Sequence, residues 1–253
     1  MPVVHAEAFV LRVHPLGEAD KIVTFLTREE GKLRGVARSA RKSRRRFGSS
    51  LEPWSRVSLS LFEKEGMDLA RIDSCDLLES AYRLQEDLET AYLLAYMAEV
   101  ADLFSRERQP EPHFFRLVGS ILQALGGGLP RVLAARYFET WTLKLHGLLP
   151  DLGRCGACDT SLESGGATFQ SASGQIFCRH CLPHPAPADF PVEAAGLEVL
   201  RSVLRHHPAD LSDRRFPLPL LVRLGRVTGA ALSSFAEVPF RTSRFLAVTE
   251  RAS

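Results

Sequence analysis

Two pairs of cysteines constrain the fold of this chain more than any other feature. They form the motifs CGAC (Cys155 and Cys158) and CRHC (Cys178 and Cys181), with 19 residues between the pairs. Two such turns can complete a tetrahedron of thiolates around Zn²⁺, and four cysteine ligands leave no open position for an activated water. The spacing therefore predicts one structural zinc ion per chain, with the intervening TFQSASGQIF forming a hairpin that brings the pairs together.

The remaining cysteine usage supports this interpretation. Cys75 stands alone in a strand-like segment, where a buried, small apolar side chain is expected. Five cysteines make a poor disulfide framework, and redox chemistry at one pair would not need the second pair. His180 and His184 could replace a cysteine ligand, but surface positions are expected for both. The chain shows no secretory signal and no apolar run of about 18 residues, which predicts a soluble, cytoplasmic protein.

The first 78 residues have the alternating, β-branched pattern of short strands separated by glycine-centred turns. Five strands are predicted, a number that suits a small barrel, and their ranges are Ala6–Val13, Ile22–Thr27, Leu33–Ala37, Val57–Phe62 and Asp68–Leu78.

From Ser80 the apolar residues recur at spacings of three and four, which predicts one helix over Ser80–Arg106. Pro110 and Pro112 open a second helix that ends at Gly126, and a third lies between Pro130 and Gly147. After the cysteine-rich segment, two further helices are predicted over Val192–His206 and Pro219–Phe235. The predicted fold class is α+β: a five-stranded N-terminal barrel, then a helical bundle into which the cysteine module is inserted. The predicted domains are 1–79, 80–150, 151–187 and 188–253.

A dense cluster of positive charge follows the third strand. The whole chain carries a formal net charge of only +2, yet six of the nine residues from Arg38 to Arg46 are Lys or Arg and none is acidic. A solvated surface normally mixes both signs, so an anionic partner is the economical explanation for this cluster. Arginine dominance favours bidentate contacts with phosphates, although a localisation signal or a membrane-surface contact is also compatible with a short basic segment.

A five-stranded barrel with a basic groove and aromatic rings is typical of oligonucleotide-binding (OB) folds that hold single strands. We therefore expect phosphates to bind the cations of this region, with Phe47 and Trp54 exposed for stacking on bases. The predicted DNA-binding residues are Lys32, Arg34, Arg38, Arg41, Lys42, Arg44, Arg45, Arg46, Arg56, Phe47 and Trp54.

Motifs of catalysis are absent from the sequence. The segment LGGGLP has no following Lys-Ser/Thr and is interpreted as a helix stop, and Ser39–Lys42 matches S-x-x-K without its companion motifs. Three hypotheses differ in class: a non-catalytic DNA-binding protein, a zinc-ribbon module that binds RNA or proteins in translation or transcription, and a metal-dependent nuclease. The last is disfavoured because no acidic cluster accompanies the cations.

The order and content of these motifs resemble the bacterial RecO family of recombination mediators. The resemblance covers LGEADKIV, LTREEGK, VARSARKSRRRFGSSLEPW, the helical middle, the cysteine unit and the closing RTSRFL (Arg241–Leu246). One departure is Ser39, where the family tends to have glycine; this stiffens the loop and leaves its charge intact. Many, though not all, members carry the zinc unit, which agrees with a structural role.

The resemblance implies an N-terminal OB-fold, a helical domain and a zinc module. It implies binding of single- and double-stranded DNA, annealing of complementary strands, and action with RecR to load RecA onto strands coated by single-strand-binding protein. It also implies that no cofactor is consumed. We expect no membrane among the partners, and a cytoplasmic protein that is associated with the nucleoid.

Overall fold

The N-terminal part of the chain forms a closed barrel of five strands. The computed structural model describes residues 3–42, 47–62, 69–163 and 165–246. The strands are β1 (Val3–Leu16), β2 (Asp20–Thr27), β3 (Gly31–Ala37), β4 (Arg56–Phe62) and β5 (Ala70–Glu79). Their order around the barrel is β1-β2-β3-β5-β4, and each neighbouring pair is antiparallel except β3 and β5. The predicted five-stranded barrel is thereby confirmed.

Alternate side chains of each strand fill the barrel interior. Val23 and Phe25 on β2, Leu33 on β3 and Ile72 on β5 are almost completely buried there. This is the two-residue period of a strand with one face on a core. Cys75 belongs to the same core, as predicted, and its burial raises the pKa of its thiol to about 11.

Gly35 allows the barrel to close. The parallel contact between β3 and β5 consists of Gly35 opposite Ala70 and Val36 opposite Arg71. A Cβ atom on Gly35 would lie 2.8 Å from the Ile72 side chain, closer than real Cβ contacts allow. The position is therefore kept free of a side chain by the approach of β5.

Two helices follow the barrel where the sequence predicted one. They are α1 (Tyr82–Gln85) and α2 (Leu88–Phe104), so the prediction of a continuous helix over Ser80–Arg106 is wrong. The Asp87 carboxylate accepts a hydrogen bond from the Thr90 backbone N–H at 2.9 Å, and Asp87 itself has extended backbone geometry. An aspartate in this position is a strong N-cap, which begins a new helix instead of continuing the preceding one.

The C-terminal part combines helices with a small sheet. The helices are α3 (Pro112–Gly126), α4 (Arg131–Leu145), α5 (Ala194–Arg205) and α6 (Leu218–Ala236), and α4 packs against both α5 and α6. The sheet has the order β7-β6-β8, with β6 (Ala167–Gln170), β7 (Gln175–Phe177) and β8 (Phe190–Val192). The predicted hairpin between the cysteine pairs is β6 and β7.

Several element boundaries differ by one to three residues from the sequence-based expectations. Strand β1 begins earlier and ends later than Ala6–Val13, because its two ends pair with β4 and β2 respectively. Val192 lies in β8, so the helix expected from Val192 begins at Ala194. The predicted start of the fifth strand, Asp68, lies outside the described residues.

By internal contacts the chain divides into two compact units, residues 1–116 and 117–253. The four-part division into 1–79, 80–150, 151–187 and 188–253 stays a prediction. Among the helices of the described part of the chain, none is both long and apolar enough to cross a membrane.

A buried ion pair lies between α4 and α6 in the second unit. Arg136 and Glu139 are each 1% exposed, with Arg136 Nε 2.8 Å from Glu139 Oε2. Arg136 also donates to the Leu221 carbonyl oxygen at 2.9 Å, and the Thr228 hydroxyl donates to Glu139. A Cβ atom on Gly225 would overlap the Arg136 guanidinium, so α6 can approach α4 only at a glycine.

Removing one partner of this pair should destabilise the second unit. We expect Glu139→Ala to cost about 3–5 kcal/mol of unfolding free energy in urea, because the Arg136 charge stays buried without its carboxylate. The double variant Arg136→Met/Glu139→Leu is the control, and it should lose much less. Equal losses in the two variants would show that packing volume, and not the unpaired charge, sets the cost.

Candidate nucleic-acid interface and metal centre

Helix α2 covers one part of the outer face of the barrel. It packs against β1 and β2. Phe9, Leu26 and Lys32 lie side by side on adjacent strands there, and the two apolar side chains are buried. Lys32 Nζ donates to the backbone carbonyl of Asp102 at 2.6 Å and lies 3.3 Å from its carboxylate. This part of the face is closed to a ligand.

The side chains on the outer face of the barrel become more exposed with distance from α2. In the next cross-strand row, Arg12 pairs with Thr24 and Thr24 with Arg34. Arg12 Nε lies 3.3 Å from the Asp102 carboxylate, Thr24 is buried, and Arg34 is exposed. This row is the border between the covered and the uncovered parts.

The following row is accessible along its length. Strand register places His14 beside Ile22, Ile22 beside Val36 and Val36 beside Arg71. His14 and Arg71 are exposed, whereas Ile22 and Val36 are half-buried. With strands about 4.8 Å apart, the row is about 14 Å long. We call the two rows together the open face, formed by Arg12, His14, Ile22, Thr24, Arg34, Val36 and Arg71.

A turn that carries several cations follows β3 at the edge of the open face, and we call its residues 38–42 the cationic loop. Arg38, Arg41 and Lys42 are exposed. Arg44, Arg45 and Arg46, also predicted to bind DNA, lie outside the described residues. The cationic loop therefore presents three cations to solvent.

Two predicted phosphate-binding cations are instead engaged within the first unit. Lys32 is held by Asp102, as described above, and its side chain is only 15% exposed. Arg56 forms an ion pair with Glu7 through Nε, and its Nη1 lies 3.8 Å from Glu79. Sequence alone could not separate these cations from the exposed ones, because their partners come from distant segments.

The predicted exposure of Phe47 and Trp54 is wrong. They are 4% and 2% exposed. Phe47 belongs to the barrel core, and the indole Nε1–H of Trp54 donates to the Leu94 carbonyl oxygen on α2 at 2.9 Å. Neither ring presents a face on which a base could stack.

The four motif cysteines of the second unit converge on one point. All four sulfur atoms lie within 4.8 Å of one another, and Cys158 Sγ is 3.8 Å from Cys178 Sγ. A tetrahedron with metal–sulfur bonds of about 2.3 Å has sulfur–sulfur distances of about 3.8 Å. The cysteines are unbridged, so this spacing fits a tetrahedral metal site.

The electrostatics of the cluster also suit a bound cation. Burial opposes ionisation of Cys155, but backbone N–H groups of Cys178, Ala157 and Cys158 outweigh it and lower the pKa of Cys155 to about 6. Thr160 beside Cys158 lowers the pKa of that thiol. The neighbouring sulfurs, Cys158 first, raise the pKa of Cys181 to about 12. Several thiolates cannot coexist at this distance without a compensating positive charge, which a divalent metal would supply.

Comparison with known proteins identifies the family. The family model for the N terminal of recombination protein O matches residues 1–81, and the model for its C terminal matches residues 85–244. The chain belongs to the RecO family. A DNA repair protein RecO from Anaeromyxobacter sp. (strain K) is 37% identical over 228 residues, which cover 90% of this chain and 88% of the relative. Another from Koribacter versatilis (strain Ellin345) is 42% identical over 158 residues, covering 62% and 64%.

Sequence reasoning missed part of the open face of this RecO-family chain. His14 and Arg71 are far apart in sequence, and Arg71 comes beside Val36 only when the barrel closes. The available signal was the alternation in β3, which places Lys32, Arg34 and Val36 on one face. Assigning the neighbours on β1 and β5 would have required the strand register.

Trp54 offers a direct test of the corrected assignment. We expect Trp54→Phe to lower the unfolding free energy by about 0.5–1.5 kcal/mol, because the hydrogen bond from the buried indole to the Leu94 carbonyl is lost. Affinity for single-stranded DNA, measured by fluorescence anisotropy under folded conditions, should stay within about twofold. Weaker binding with unchanged stability would instead mean that the ring contacts DNA.

Proposed function

We propose that this chain is a non-catalytic recombination mediator that binds single- and double-stranded DNA and anneals complementary strands. With RecR, it helps to load RecA onto strands coated by single-strand-binding protein at the nucleoid. The observation that carries the proposal is the continuity between the cationic loop and the open face on one barrel. Family membership supports the context of DNA repair, since the relatives described above bear that name.

The open face and loop combine the two contacts that a single strand needs. The proposed phosphate contacts are four exposed cations, Arg34, Arg38, Arg41 and Lys42. A further exposed cation, Arg71, lies beside Val36 on β5. Ile22 and Val36 supply a modest apolar surface for sugars and bases. We propose the same phosphate-binding role for Arg44, Arg45 and Arg46.

These contacts suit annealing better than tight sequestration. Cations that neutralise two phosphate backbones at once reduce the repulsion between complementary strands. Contacts with phosphates are independent of sequence and screened by salt, so strands can move into register. With Phe47 and Trp54 buried, aromatic stacking from these two rings does not resist that movement.

We propose that the metal of the cysteine cluster is Zn²⁺ and that its role is structural. Cys155, Cys158, Cys178 and Cys181 would hold the ion in a closed tetrahedral shell, which supplies structural cross-linking between the two cysteine pairs. The alternative function, a zinc-ribbon module that binds RNA, predicts binding to an RNA hairpin at least as tight as to single-stranded DNA.

Charge reversal tests the proposed DNA contacts. We expect Arg34→Glu, Arg38→Glu, Arg41→Glu and Lys42→Glu together to abolish annealing and to reduce single-strand affinity by more than tenfold. At about 0.7 per phosphate contact, the slope of log K against log salt should fall in magnitude by about 3. Anisotropy across a salt series, with an RNA hairpin in parallel, measures both quantities.

A matched control separates a local site from net charge. The same number of exposed cations in other parts of the chain is reversed together, namely Arg83, Lys144, Arg215 and Arg226. These changes should leave most of the affinity and the annealing activity. Equal losses in both sets would contradict a DNA site on the barrel, and tighter binding to the RNA hairpin would favour the alternative.

Removal of a cysteine ligand tests the metal. We expect one zinc per chain by elemental analysis, lost in Cys178→Ser together with a lower unfolding temperature. Cys75→Ala is the control, because Cys75 lies in the barrel core and outside the cluster; it should keep the zinc. A full zinc content in Cys178→Ser, or none in the unaltered protein, would contradict the assignment.

A further inference from the structure

The turn between β1 and β2 holds the beginning of the cationic loop. Three hydrogen bonds connect them. The Ser39 backbone N–H donates to Asp20 Oδ1 at 2.8 Å, the Arg41 backbone N–H donates to the Ala19 carbonyl at 2.9 Å, and Arg41 Nη1 donates to the Gly17 carbonyl at 2.7 Å. One acidic side chain thus takes part in ordering a segment whose other charges are positive.

The backbone geometry on both sides of this contact is unusual. Ser39 has φ +59° and Gly17 has φ +56°, the left-handed region that favours glycine. A serine in this region needs support from its surroundings, since the conformation is unfavourable for a residue with a Cβ atom. The hydrogen bond from its own N–H to Asp20 provides such support. The contact therefore fixes the direction in which the chain leaves β3.

We infer that Asp20 is a positioning residue for nucleic-acid binding: its carboxylate holds Ser39, and with it the cationic loop, in the orientation that phosphates meet. This inference rests on the proposed function. Asp20 does not contact the ligand. Its effect is to order Arg38, Arg41 and Lys42 before binding, so that the entropy of ordering is not lost when DNA binds.

A positioning role for Asp20 predicts a change in DNA affinity opposite to the one expected from its charge alone. An aspartate beside a DNA-binding loop repels phosphates, so electrostatics predicts that its removal strengthens binding. Positioning predicts the reverse for Asp20→Ala, because the Ser39 N–H loses its acceptor. Asp20→Asn distinguishes the two ideas, since the amide oxygen can still accept the hydrogen bond while the charge is gone.

Glu18 provides a matched control on the same turn. It is exposed, it carries the same charge, and it makes no hydrogen bond or ion pair within the described part of the chain. Glu18→Ala therefore removes one negative charge near the loop without removing an acceptor from Ser39. Electrostatics alone predicts similar effects for Glu18→Ala and Asp20→Ala.

The experiment measures the affinity of the full chain for a labelled single strand of DNA in the unaltered protein and in these variants. We expect Asp20→Ala to bind roughly five- to tenfold more weakly, as the loss of an ordered loop implies. Asp20→Asn and Glu18→Ala should bind as tightly as the unaltered protein or slightly more tightly. Hydrogen exchange without DNA should show faster exchange of the Ser39 amide in Asp20→Ala, but not in Asp20→Asn.

The outcomes separate this inference from the proposed function. In one outcome, Asp20→Ala binds DNA as tightly as Glu18→Ala, while the quadruple charge-reversal variant does not bind. The positioning role of Asp20 is then wrong, and the proposed DNA site is retained. If the charge reversal leaves binding intact, the proposed function fails first. Thermal unfolding of each variant is measured beforehand, and Asp20→Val, which also lacks an acceptor, replaces Asp20→Ala if the latter does not fold.

Discussion

Closure of the barrel depends on a short parallel contact between β3 and β5, and the arrangement of the open face is a consequence of it. Only Gly35 and Val36 on β3 pair with β5, and the interior has no room for a side chain at Gly35. The same contact that brings Ile72 into the core brings Arg71 to the outside, next to Val36. A substitution at Gly35 would therefore disturb the core and the open face together, although the residue itself contacts no ligand.

Within the barrel, the role of each cation is decided by what covers it. Lys32 and Arg34 are two residues apart on the same face of β3, yet Lys32 is bound to Asp102 on α2 whereas Arg34 is exposed. Arg56, on β4, is paired with Glu7. The positive charge near the N-terminus thus falls into two parts. Some of the cations hold α2 on the barrel or form ion pairs within the first unit. Other described cations are exposed and accessible to phosphates.

Local patterns in the sequence predicted the features that depend on local chemistry. Strand alternation gave the five-stranded barrel, the spacing of Cys155, Cys158, Cys178 and Cys181 predicted the sulfur cluster, and the glycine and proline positions placed α3 and α4. The errors concern long-range contacts. Trp54 was expected in solvent because Pro53 suggests a loop, but its hydrogen-bond acceptor, Leu94, is 40 residues away. The helix is interrupted before Leu88 because Asp87 caps a new helix there. The spacing of apolar residues, from which one helix was predicted, carries no information about this cap.

Ser39 shows how a side chain in left-handed backbone can be accommodated by a neighbouring contact. Its backbone has φ +59°, and a residue with a Cβ atom in this region costs about 1–2 kcal/mol of conformational energy. Its N–H donates to a carboxylate at an exposed position, where solvent screening leaves such a hydrogen bond about 0.5–1.5 kcal/mol. The two magnitudes overlap, so Asp20 can offset part of the cost of the side chain at Ser39. A serine also has fewer accessible backbone conformations than a glycine at the same position, so less conformational entropy is lost when the loop becomes ordered. The pair therefore favours a cationic loop that is already oriented before nucleic acid arrives.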